Sequence, residues 1–328
     1  MDQRFVPLNA LIAFCYPYQT GWPRPFFEAG FVLQSLEFPA NSGEGRVVID
    51  AVTWSRTDTH FVLCESKSGA NIDEAQAKKY GSVQTNTLVQ MLGVTVSGGA
   101  LPDSQALYLT TEENVDRIEM GLASAGVSYP ILAIGSDSVT RHGRAITNVA
   151  LAERFSSPLS IPGPPPGIIT IDLESSNEVF DQIVQPCLVA LLASHEQAVS
   201  IHKLAEEAIP SLPLYPNGYR NRLIRKIEDA ARRAADAASE NFIFAPRSGV
   251  NNVASIRIVE SPENLDPRGR TQSYQRLATR FAPSSRRRRI VVASNQPTLF
   301  DDATYRQELA ELDSLDENDV EEGNDGSK

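Results

Sequence analysis

Three charged residues in the stretch VVIDAVTWSRTDTHFVLCESKSG, residues 47 to 69, have the types and spacing for hydrolytic chemistry: Asp50, Glu65 and Lys67. Two carboxylates brought to one spot repel each other, and a hard divalent cation between them relieves the crowding. Mg²⁺ suits such a pair because it accepts carboxylate oxygens and keeps several waters that a phosphate oxygen can displace. An ammonium group beside the pair can hold a phosphate oxygen or orient the attacking water. It also offsets negative charge that builds up in the transition state. There is a plainer origin to weigh, since a Glu-x-Lys triplet on a strand is commonly a weak ion pair on a solvated face. The triplet gains meaning from the elements that bring it to Asp50.

VVIDAV and FVLCES are short, β-branched apolar runs, and the polar SRTDT between them reads as the turn of a hairpin. Side chains alternate across a strand, so Glu65 and Lys67 share one face and Ser66 takes the other. In the direct register of this hairpin, Asp50 comes next to Glu65. Downstream, SGANIDEAQAKKYGSV reads as a helix that Asn71 or Asp73 can cap, with Gln76 and Tyr80 four apart on one face.

Asp50, the Glu65-Ser66-Lys67 triplet after fourteen intervening residues, and the helix with Gln76 and Tyr80 together resemble the PD-(D/E)XK, or restriction-endonuclease-like, nuclease superfamily. The resemblance implies an α/β fold with a mixed-sheet core flanked by helices, and a Mg²⁺-dependent DNA endonuclease in which Mn²⁺ can replace Mg²⁺. It assigns Asp50 and Glu65 to the metal, Lys67 to the water or the phosphorus centre, and Gln76 and Tyr80 to the support of the site. Family members often add a glutamate from the first helix. RPFFEAGFVLQSLEF offers Glu28, just before a helix end at Gly30, and Glu37 on the following strand as the second choice. Ile49 stands where the name-giving motif has proline.

The remainder of the chain fits a soluble protein of two domains and a tail. No apolar run reaches membrane-spanning length, and the first residues lack a signal-peptide pattern, so a cytoplasmic location without membrane contact is expected. Cys15, Cys64 and Cys187 have the wide, odd spacing of neither a disulfide framework nor a zinc site. His60, His142, His195 and His202 show no ligand spacing. The net charge of -11 argues against nucleic acid only until it is located: from Asp301 to Lys328 eleven acidic residues face Arg306 and Lys328. The body is near neutral and can carry basic patches.

ALYLT, TEENVDRIEMGLASAG and YPILAIGS read as strand, helix and strand, which completes a nuclease-like domain over residues 1 to 155. The proline-rich 156 to 168 reads as a stiff linker. A winged-helix-like domain is expected over 169 to 285: a helix interrupted by Pro186, the helix SIHKLAEEAIPSL, a long third helix, then two strands around RSGVNN. On the third helix Arg220, Arg222, Arg225, Lys226, Arg232 and Arg233 are candidate DNA contacts, to phosphates or guanine edges. From 286 to 328 follow a basic run, Arg286 to Arg289, and an acidic tail expected to be disordered. Gln296, Leu299 and Phe300 resemble the Gln-x-x-Leu-Phe motif captured by bacterial sliding clamps, a peptide mode in which an amide anchors and two apolar side chains fill a pocket. Restriction, phage defence, repair and transposition all suit this layout, and so does a homodimer. A non-catalytic DNA-binding adaptor built on the same core is the second reading, opposed by the presence of all three signature charges.

Overall fold

The computed structural model describes residues 2–16, 21–96, 101–194, 196–247 and 253–281. Arg286 to Arg289, Gln296, Leu299, Phe300 and the acidic tail lie outside the described residues, as does His195. Residues up to Ser261 form one compact unit and those from Pro262 a second.

The first unit is α/β. Two helices, α1 (Val6–Cys15) and α2 (Pro25–Glu28), precede β1 (Phe31–Ser42), β2 (Gly45–Ser55) and β3 (His60–Lys67). Then come α3 (Glu74–Tyr80), α4 (Thr85–Leu92), β4 (Asp103–Thr111), α5 (Val115–Ser124), β5 (Pro130–Ile134), β6 (Ser138–Gly143), α6 (Val149–Arg154) and β7 (Leu159–Ser160). The seven strands lie side by side in sequence order. The first three form an antiparallel meander, β3, β4 and β5 run parallel, and β6 and β7 return antiparallel. Parallel neighbours need a crossover, which α3 with α4 supplies between β3 and β4, and α5 between β4 and β5.

Two apolar clusters cover the crossover side. Trp54, Phe61 and Leu63 pack with Tyr80 and Leu88, and Tyr108 and Ile131 pack with Ile118 and Leu122. Helix α1 is buried from Pro7 to Cys15, as expected of a helix apolar all round. Its one amide, Asn9, donates to Ile169 O at 2.9 Å and accepts from the amides of Ile168 and Ile169. The residues after the proline-rich stretch are thereby tied to α1. The expected linker, 156 to 168, contains β7 and falls inside one compact unit, whose boundary lies instead at Ser261.

The rest of the first unit comprises α7 (Asn177–Ala193), β8 (Ala198–Ser200), α8 (Ile201–Ala208), α9 (Asn217–Ala237), β9 (Phe242–Ala245) and β10 (Ser255–Ile258). The three strands pair antiparallel in the order β8, β10, β9. Pro186 does not interrupt α7, which is continuous through it. An interior proline costs about 3 kcal/mol. Burial of Phe180, Val184, Leu188 and Leu192 offsets this, at about 1.5–3 kcal/mol each. The second unit contributes α10 (Pro267–Phe281). Among the described residues, no helix is long and apolar enough to cross a membrane.

Candidate active site

Strands β2 and β3 pair from Ser55–His60 to Ala51–Cys64, where the ladder ends. Beyond that point the Ser66 amide donates to Asp50 Oδ2 at 2.6 Å, so a carboxylate replaces the next backbone acceptor. One residue away on β3, Glu65 is 2% exposed. Lys67 Nζ lies 2.6 Å from Glu65 Oε1. The Tyr80 hydroxyl donates to Glu65 Oε2, and Gln76 Nε2 reaches the same oxygen at 3.5 Å. Val48 O sits within 3.2 Å of Gln76 Nε2 and 3.3 Å of the Tyr80 hydroxyl. These two α3 side chains therefore fasten β2 and the Glu65 carboxylate together. The helix is in turn started by Asp73, whose Oδ1 accepts the Gln76 amide at 3.0 Å.

The electrostatics follow from packing two acids and an amine with little water. Burial pushes the Asp50 carboxyl well above its usual range, Glu65 and then Glu37 push it further, and Lys67 and the Ser66 amide pull against them. Burial works to lower the Lys67 ammonium, but Glu65 and Asp50 outweigh it, so its pKa is raised and the group stays charged. Burial, followed by Glu65 and Asp50, pushes the Tyr80 phenol well up, which keeps its hydrogen available to Glu65.

A further carboxylate joins the group from β1. The register of β1 on β2 shifts between Leu33 and Ser35, after which Leu36 faces Ala51 and Phe38 faces Ile49. Glu37 stands between these pairs, level with Asp50, with φ +48°. A left-handed non-glycine residue costs about 1–2 kcal/mol, and such strain clusters where surrounding structure holds a residue to a task. Burial, then Glu65, Asp172 and Glu174, pushes the Glu37 carboxyl up to about 8. Tyr215 and Tyr219, stacked with centroids 4.8 Å apart, lie in its electrostatic reach. Ser35 Oγ donates to Leu214 O at 3.1 Å, so the approach to α9 buttresses the β1 side of the site.

The structure thus brings together Asp50, Glu65, Lys67, Gln76 and Tyr80, and adds Glu37. It does not add Glu28. That carboxylate is 2.9 Å from Arg154 Nη1 in an exposed ion pair between α2 and α6. Among the α9 candidates, Arg220 donates inward to the carbonyls of Pro213 and Tyr215, and Arg233 pairs with Asp181 of α7 at 2.6 Å. Arg232 lies 4.9 Å over the Phe244 ring and 3.8 Å from Glu228, which Arg247 also holds. Arg222 and Lys226 are half-buried and Arg225 is exposed. Three of the six candidate cations, Arg220, Arg232 and Arg233, are therefore engaged with neighbouring groups.

Among the described residues, no group of three or more His, Cys, Asp and Glu side chains is placed to hold a metal ion. Mg²⁺ needs only one or two carboxylates when water and substrate complete its shell. The donor chemistry of Asp50 and Glu65 meets that requirement, and a bound cation would favour the ionised form of Asp50 that burial and Glu65 disfavour. No protein-family model, curated protein or solved structure matches the chain.

Proposed function

We propose that this chain is a divalent-metal-dependent deoxyribonuclease of the PD-(D/E)XK type, hydrolysing phosphodiester bonds. The observation that carries the reading is the convergence of Asp50, Glu65 and Lys67 at the end of the β2–β3 ladder, with Glu65 fastened by Tyr80 and Gln76. The αβββαβ element order and the mixed sheet support it. In this reading Asp50 and Glu65 hold Mg²⁺ or Mn²⁺, which supplies Lewis-acid polarisation of the phosphate and a water of lowered pKa. Lys67, kept charged, stabilises negative charge on the phosphoryl oxygens and orients the attacking water. Tyr80 and Gln76 fix the Glu65 carboxylate, and Glu37, level with Asp50, is a further carboxyl that releases its proton as a cation binds.

The helix–strand–helix–helix–strand–strand order from α7 to β10, with sheet order β8, β10, β9, supports a winged-helix reading of the second half of the unit. Tail contacts with a sliding clamp through Gln296, Leu299 and Phe300 belong to the same proposal. The test is incubation of the full chain with supercoiled plasmid, linear duplex, single-stranded DNA and RNA, with Mg²⁺ or Mn²⁺ and with EDTA. Metal-dependent DNA cleavage is the expected result. Retained DNA binding with no cleavage under any metal favours the adaptor reading instead.

A further inference from the structure

We propose that the helix that contacts DNA is α10. Over Pro267–Phe281 it carries Arg268, Arg270, Arg276 and Arg280 and no acidic residue, whereas α9 sets Glu228, Asp229 and Asp236 among its cations. Its burial is one-sided. Leu277 is 1% exposed and Arg270, Tyr274 and Phe281 are half-buried, while Arg268, Gln272, Gln275, Arg276, Thr279 and Arg280 are exposed.

The exposed residues recur at helical spacing, and five of them, from Gln272 to Arg280, line a surface depression. Arginine, glutamine and threonine in one row combine phosphate-neutralising charge with side chains that pair bidentately with base edges. An exposed α-helix fits the major groove of B-form DNA, while the deep, narrow major groove of A-form RNA excludes it. Charge complementarity and shape therefore select duplex DNA as the occupant. Asp266, the residue before the helix, accepts the Gly269 amide at 2.6 Å and acts as a cap at the N-terminal end.

This inference takes only the identity of its partner from the nuclease reading, and it is tested without catalysis. Binding of a fluorescent DNA duplex is measured by anisotropy in EDTA across a salt series, using the full chain with Arg286 to Arg289 intact. Arg268→Glu/Arg276→Glu is compared with Arg225→Glu/Lys226→Glu on α9, which changes net charge equally. A milder Arg268→Gln/Arg276→Gln variant and circular dichroism control for folding. The α10 variant is expected to bind at least about tenfold more weakly and to flatten the slope of log K against log salt by about 2, roughly one per lost phosphate contact. The α9 variant is expected to stay within about threefold of the wild type.

Equal losses from both helices overturn the proposal, as does retained binding in the α10 variants. Wild-type protein that binds no duplex, or prefers duplex RNA, overturns it too. Metal-dependent cleavage assayed separately, with Asp50→Asn as the control, decides the nuclease reading whichever way these results fall.

Discussion

The Tyr80 hydroxyl on α3 donates to the Glu65 carboxylate on β3, linking the crossover helix to the strand it leaves. Because Glu65 is buried, this oxygen has few other donors to turn to. Tyr80→Phe removes one buried hydrogen bond and leaves an acceptor underserved, at about 1–2 kcal/mol. Urea unfolding should show that loss, and cleavage should fall about 10–100-fold through weaker metal affinity, recovered in part at high Mg²⁺. Unchanged metal dependence in this variant contradicts the role given to Tyr80.

Lys67→Met should destabilise the metal-free protein by about 2 kcal/mol or more, because it strands the Glu65 carboxylate without its cation. The loss sits below that of a fully buried pair, since the Lys67 side chain is 22% exposed. Thermal melts with Mg²⁺ and with EDTA check this: the metal should raise the melting temperature more in the variant than in the wild type, because it takes over the neutralising charge.

Stability should also fall as pH rises. The Glu37 carboxyl is raised from the ordinary 4.5 to about 8, so between these values the folded chain holds a proton that the unfolded chain has released. Folding is then penalised progressively as pH climbs through that window and not below it. In EDTA the melting temperature should drop by a few degrees between pH 5 and pH 8, and Glu37→Gln should flatten the drop. Mg²⁺ should stabilise more at pH 8 than at pH 6, since its ligands must lose their protons to bind it.

Glu28→Gln should leave cleavage within about threefold of the wild type and cost less than about 1 kcal/mol, as its exposed pair with Arg154 is screened by water. Glu37→Gln should lower cleavage at least about tenfold through the metal dependence. Kinetics of both variants across a Mg²⁺ titration separate the two glutamates.

The contrast between these glutamates shows where the sequence stops being informative. Asp50, Glu65, Lys67, Gln76 and Tyr80 were legible because each lies on a hairpin or helix whose period fixes which side chains share a face. Glu37 depends on a register shift at Leu33/Ser35 and on a positive φ at a non-glycine residue, neither of which has a residue signature. The α9 arginines show the same limit. Their charge is plain in the sequence, but the partner of Arg233 lies 52 residues away on another helix. Strands β7 and β8 span two and three residues, too short to display alternation. Helix α10 has a thin apolar stripe around Leu277, so its periodicity is faint beside its charge.

In the proposed reading Asp50, Glu65 and Lys67 form one metal-dependent hydrolytic site. Its most direct test is the rate of supercoiled plasmid cleavage in Mg²⁺ by the wild type and by Asp50→Asn, a variant that keeps side-chain size and can still meet the Ser66 amide. Cleavage by the wild type should be abolished by EDTA, and Asp50→Asn should lose at least about a thousandfold with an unchanged circular dichroism spectrum. Equal cleavage by the two proteins, or wild-type cleavage that survives EDTA, contradicts that reading.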